Sequence, residues 1–199
     1  MTEPIIITPA HGQAAVDVLA ALWRSGASCV DTVIRHYHGG GSGCSYAWLY
    51  AWEMAGAPVH DGINNAYVAA RVPDLVSALG GRVATFDWRD PRYGPPRAGD
   101  GVLLDLRGEV GIPDHVGTVR ELVIRTDNGR MRVNTIEGGY RTKAGPNRFG
   151  RDFWTEPSGR VVGFLRPVRA GRGCEHHGPD GTFTGRAGDW PAEKEHDHD

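Results

Sequence analysis

A cysteine that follows a glycine run and opens an apolar segment is the first residue here whose setting points to chemistry. Residues 39 to 43 read GGGSG, which neither helix nor strand tolerates well, and residues 44 to 55 read CSYAWLYAWEMA. The change places Cys44 at a helix N-terminus, where unpaired amides and the helix dipole favour negative charge. A thiol held there is shifted toward the nucleophilic thiolate, more so beside an imidazolium. The same amides are placed to receive an oxyanion. The competing reading is that Cys44 is a small buried hydrophobe. Cys29, within an expected helix, and Cys174, near the C-terminus, keep that plainer reading.

Two further residues complete a nucleophile, base and orienter set. His115 opens an expected strand in GIPDHVGTVRELVI, from where it can project toward a helix end packed on the sheet and take up the thiol proton. Glu137 closes the next expected strand in VNTIEGGY and supplies an acceptor to orient the imidazole. Asp127, Asn128 and Gly129 read as a hairpin turn between the two strands. Pairing centred near 128 joins positions whose numbers add to about 256, so His115 faces about position 141 and Glu137 lies within a few residues of it. Taken singly, His115 also reads as a surface histidine and Glu137 as a solvated strand-end charge.

The elements that must hold these residues are legible from periodicity. Residues 12 to 24, GQAAVDVLAALWR, put Val16, Leu19, Ala20 and Trp23 at helical spacing. A short helix is expected over 29 to 36, and residues 44 to 55 are apolar around nearly the whole circumference, which reads as a helix buried on most sides and ended by Gly56 and Pro58. Another helical stretch runs over 63 to 79, restarted at Pro73 and stopped by Gly80 and Gly81. Strands are expected over 101 to 106, 115 to 124, 130 to 137 and 160 to 166. Helices first and antiparallel strands after make an α+β domain over residues 1 to 170. Residues 171 to 199 are rich in glycine, proline and charge and read as a disordered tail.

Composition narrows the classes. A chain of 199 residues with a formal net charge of -2 lacks the basic surplus that binding to nucleic acid requires. Three cysteines without paired spacing suggest neither a disulfide framework nor a zinc ribbon. The start, MTEPIIITPAHGQ, has no positively charged leader and its apolar run is too short for a signal or membrane helix.

Taken in order, GCSYAWLYAWEMAGAPV, PPRAGDGVLLDL at 95 to 106, DHVGTVREL at 114 to 122 and NTIEGGY at 134 to 140 resemble the CHAP domain, the cysteine- and histidine-dependent amidohydrolase/peptidase branch of the papain-like and NlpC-like superfamily. The resemblance covers roughly residues 30 to 168. It implies a papain-like fold and cleavage of the N-acetylmuramoyl-L-alanine bond or of a peptide bond in peptidoglycan. Cys44 would then attack the carbonyl, His115 carry the proton and Glu137 orient His115. Gly139 stands where the family commonly has an asparagine after the glutamate, and Ser42 and Gly43 replace its frequent tryptophan or glutamine before the cysteine.

For substrate contact the candidates are His38 beside the glycine loop, Asp114 beside His115, and the loop aromatics Trp88, Tyr93, Tyr140 and Trp154. The stripe Tyr46, Trp48, Tyr50 and Trp52 reads as core in preference to a sugar platform. A zinc site from His36, His38, Asp114 and His115, or from the tail histidines, is the rival chemistry, but no third ligand stands at firm spacing. No cofactor is expected. Peptidoglycan is the expected partner of a monomer, reached through a holin, a phage particle or a secretion machine. An endolysin, a tail-associated lysin and a bacterial wall hydrolase all fit, and so does a structural tail-assembly protein that keeps the fold without the activity.

Overall fold

Among the described residues, three helices and six strands form an α+β arrangement. The computed structural model describes residues 5–26, 33, 43–60, 72–108, 112–124, 131–138, 151–154 and 161–171. The expected helix at 29 to 36, the stretch 63 to 71, the turn at Asp127 to Gly129 and the tail beyond 171 lie outside these residues, apart from Val33 in the first of them.

The first helix, α1, spans Pro9–Arg24 and starts three residues earlier than its apolar stripe suggests. The cause is local. Pro9 sits at the first helical turn, Thr8 accepts from the His11 backbone, and the Thr8 backbone N–H donates to His11 Nδ1 at 3.1 Å. Gly12, Ala15, Val16 and Leu19 form the buried stripe. Trp23, expected on that stripe, is 47% exposed, and in the last turn Leu22 packs against the core instead.

The second helix, α2, spans Gly43–Met54 and is buried as its composition demands, with Tyr46, Trp48, Leu49 and Ala51 fully enclosed. Gly56 ends it in the left-handed conformation (φ 78°), a backbone shape that costs glycine little. The third helix, α3, is Val72–Leu79, followed by a single 3-10 turn over Gly80–Arg82.

The strands are β1 Val83–Phe86, β2 Gly101–Leu104, β3 His115–Ile124, β4 Met131–Ile136, β5 Arg151–Trp154 and β6 Val161–Pro167. They form one antiparallel sheet in the order β1-β6-β2-β3-β4-β5. The two edge strands, β1 and β5, were not expected from the sequence. β2 is shorter than expected because the chain turns at Asp105, whose carboxylate accepts the Gly108 N–H at 2.6 Å.

Strand alternation divides the core into two. Leu103, Val116, Ile136 and Leu165 join the helices in one cluster. Val102, Leu104, Val119, Val133, Phe86 and Phe164 form a second, against which Trp88 and Tyr93 pack. Gly99 and Gly12 fix how α1 meets the loop before β2. A Cβ on Gly99 would lie 2.5 Å from Gly12 Cα, and one on Gly12 would lie 2.2 Å from the Ala98 oxygen. The indole N–H groups of Trp48 and Trp52 both donate to the Gly99 carbonyl, at 3.0 and 2.9 Å. The aromatic stripe of α2 is therefore structural.

Asp100 explains the Gly-Asp pair before β2. It is 1% exposed and meets Arg166 of β6 in a two-pronged ion pair, with Nη2 to Oδ2 at 2.6 Å and Nε to Oδ1 at 3.1 Å. The Arg97 N–H donates to Oδ2 at 2.9 Å. Arg166 also donates to the carbonyls of Tyr93 and Pro95 and lies over the Phe86 ring at 4.7 Å. Burial raises the Asp100 carboxyl pKa, against the opposing pull of Arg166.

Candidate active site

Cys44 is the second residue of α2, and its side chain hydrogen-bonds His115, the first residue of β3. The helix start is held in place by Gly138, just past the end of β4. A Cβ there would fall 2.1 Å from Ala47 Cβ and 2.5 Å from the Gly43 oxygen, so helix and strand end touch backbone to backbone. Gly138→Ala is expected to push the first turn of α2 off the strand and cost about 3 kcal/mol, the upper range for overpacking. Thermal unfolding would read this as a midpoint lower by roughly 6–12 °C, with a slowed reaction of Cys44 toward iodoacetamide.

The imidazole is held from two sides. His115 pairs with Leu104 across the ladder, and its Nε2 lies 2.8 Å from Glu137 Oε2. Nδ1 is then the nitrogen that faces the thiol. The second carboxylate oxygen, Oε1, accepts from the Thr135 hydroxyl at 2.7 Å. The set is enclosed, with Cys44 2%, His115 6%, Thr135 0% and Glu137 1% exposed.

The register that brings Glu137 to His115 differs from the simple hairpin expectation. Val123 faces Arg132 and Leu122 faces Val133, one residue short of it, and a bulge at Arg120 removes another, so that Thr118 faces Ile136. Glu137 thereby lies across Gly117, whose missing side chain makes room for it. A Cβ on Gly117 would come 3.3 Å from Glu137 Cγ and 3.3 Å from Thr135 Cβ.

Electrostatics favour an ion pair. Burial disfavours a charged His115, yet hydrogen bonds and charge from Cys44 and Glu137 outweigh it, and the imidazole pKa is pushed up from 6.5 to about 10. A charged imidazolium in turn stabilises the thiolate. For a raised basic group, the stability gained from charging is complete below pH 6.5 and is lost as pH climbs toward about 10. Alkylation of Cys44 by iodoacetamide is therefore expected to stay fast and nearly flat across neutral pH. A rate that climbs through a single step near ~8.5, as for an ordinary thiol, would contradict the pair.

Of the residues expected to meet substrate, Asp114 is engaged in a turn. Its oxygens accept the N–H groups of Leu106 at 2.8 Å and Arg107 at 2.9 Å, and its own N–H donates to the Leu104 carbonyl. It ties off the turn that presents His115. Trp88 and Tyr93 are half-buried, Trp88 under the Arg89 guanidinium at 4.6 Å and Tyr93 tilted against Phe86 at 5.2 Å. His36, His38, Tyr140, Cys29 and Cys174, and the side chain of Trp154, lie outside the described residues. Among the described residues, no cluster of three or more metal-ligating side chains is found, and no helix is long and apolar enough to cross a membrane.

Three contributors escaped the sequence reading. Thr135 could have been found from alternation, since positions 135 and 137 fall on one side of an extended segment. Arg166 gave no signal beyond being a charge inside an apolar strand. The His60 imidazole, fully buried, meets Glu53 at 3.0 Å below the C-terminal turn of α2, and nothing in its neighbours announced it. Comparison with family models, with curated proteins and with solved structures finds no match.

Proposed function

We propose that the chain is a cysteine amidase or endopeptidase acting on peptidoglycan, with a papain-like arrangement of thiol helix and histidine strand. The observation that carries the chemistry is the continuous line from Cys44 through His115 to Glu137 at the start of a buried helix. The substrate class rests on the CHAP resemblance of the four sequence segments.

Cys44 Sγ attacks the amide carbonyl, and the developing oxyanion is received by N–H groups of the first turn of α2. The Nδ1 proton of His115 passes to the leaving amine, the C–N bond breaks and a thioester remains. Nδ1 then takes a proton from water as that water attacks the thioester, and the acid departs as Cys44 returns to its paired state. Glu137 stays ionised throughout and holds the imidazole in plane.

The test is incubation of the purified protein with actinobacterial-type and Gram-negative walls, following turbidity, new amino groups and the masses of released muropeptides. A new L-alanine amine identifies the amidase, and a new stem or cross-bridge amine identifies the endopeptidase. The low exposure of Cys44 favours a second reading, a structural or tail-assembly protein that keeps the fold without turnover. Wild type that releases no more amine than its Cys44→Ala variant would establish that reading instead.

A further inference from the structure

We infer that Thr135 is a positioning residue of the site, which acts through Glu137 to keep His115 charged and aimed at Cys44. The inference builds on the proposed thiol chemistry but concerns the ion pair itself, and can fail or stand independently of the substrate.

Each oxygen of the Glu137 carboxylate meets a side chain of the site. Oε2 meets His115 Nε2 at 2.8 Å and Oε1 accepts the Thr135 hydroxyl at 2.7 Å. With Glu137 at 1% and Thr135 at 0% exposure, water has little access to take over either bond. A hydroxyl that donates to a carboxylate favours the ionised form. Without that donor, Oε1 loses a hydrogen bond in a buried setting, which favours protonating the carboxyl or rotating it away from the imidazole. Either escape removes the charge that Nε2–H points to.

The geometry leaves the threonine little freedom. Thr135, near the end of β4, and Glu137, just past it, are alternate residues, and the gap above Gly117 seats both. Because its Cβ is branched, threonine has few rotamers to choose among, and its methyl group fills the wall while the hydroxyl reaches the carboxylate. Valine preserves that shape and deletes the donor alone. Serine keeps the donor and loses the methyl.

The experiment compares wild type, Thr135→Val and Thr135→Ser by the pH dependence of Cys44 alkylation and by NMR titration of the His115 ring protons. Thermal unfolding serves as a check that each is folded. Thr135→Val is expected to slow alkylation at neutral pH by roughly 10-fold and to bring the His115 titration down by at least one pH unit. Thr135→Ser is expected to remain within about threefold of wild type on both readings. Equal profiles for all three proteins would overturn the inference. So would a serine variant as impaired as the valine one, since the methyl and not the hydroxyl would then matter. If valine prevents folding, the serine variant decides, because retention of the wild-type profile there supports the hydroxyl and its loss refutes it. Both readings are made without wall substrate, so an inactive protein with a Thr135-dependent ion pair would sink the proposed hydrolase and leave this assignment standing.

Discussion

Cys44→Ala is expected to lower the rate of amine release from susceptible walls by roughly 10⁴ or more, with the fold retained. The size of the loss follows from covalent catalysis, because without Sγ the remaining first-turn amides of α2 can polarise a carbonyl but nothing bonds to it. His115→Ala should lose about as much, because a thiol without its base attacks poorly and a leaving amine without its acid departs poorly. The double variant should be no worse than either single one, since the pair acts as one unit. The stability cost of removing the sulfur should stay near ~1 kcal/mol, typical of a small deletion in a packed site. Amine release under single-turnover conditions, with thermal unfolding alongside, reads both quantities. A Cys44→Ala variant that retained a tenth of the wild-type rate would rule out the thiol as nucleophile.

The second large effect concerns stability. Arg166→Met should cost about 3–5 kcal/mol, because it leaves the Asp100 carboxylate buried without its cation. Asp100 already has its pKa raised by burial, and losing Arg166 raises it further. For an acid whose folded pKa is raised, the folded state is favoured where the group is neutral. The penalty in Arg166→Met should therefore shrink as pH falls, the reverse of ordinary acid denaturation. Replacing both partners, Asp100→Leu with Arg166→Met, should recover most of the loss, as apolar replacements of buried pairs commonly do. Urea unfolding at neutral and mildly acidic pH measures all three variants. A single variant that cost under ~1 kcal/mol would mean the carboxylate finds another partner.

Which parts of this structure could be read from sequence follows from where each part gets its pattern. The buried helix α2 announced itself because every face must be apolar, and a glycine run fixed where it begins. β3 has the length and alternation of a strand near the middle of a sheet, and its bounds agree with expectation. β1 and β5 escaped because each is a four-residue edge strand, and β5 reads Arg-Asp-Phe-Trp, a sequence whose pattern says little when half the ladder is unpaired.

For the site, Cys44, His115 and Glu137 were legible as types at sensible ends of elements. The bulge at Arg120 was not, because a one-residue slip leaves no mark in composition. Thr135, Arg166 and the structural duty of Asp114 depend on partners distant in the chain, which single-element periodicity cannot supply. The Asp100–Arg166 pair joins residues from opposite ends of the sheet-forming half, and only the insertion of β6 between β1 and β2 brings them together.

That insertion has a consequence for how the molecule comes into being. Val83 must wait for Pro167 to gain its neighbour in the ladder, and Gly101, which already has Thr118, must wait for Leu165 to gain its second. A nascent chain leaving the ribosome thus carries Cys44, His115 and Glu137 before the slat that locks the sheet has been synthesised. Until that last strand slots in, Asp100 lacks Arg166 and β2 has a ladder partner on one side only, so the sheet should gain its full stability only when translation has passed residue 167.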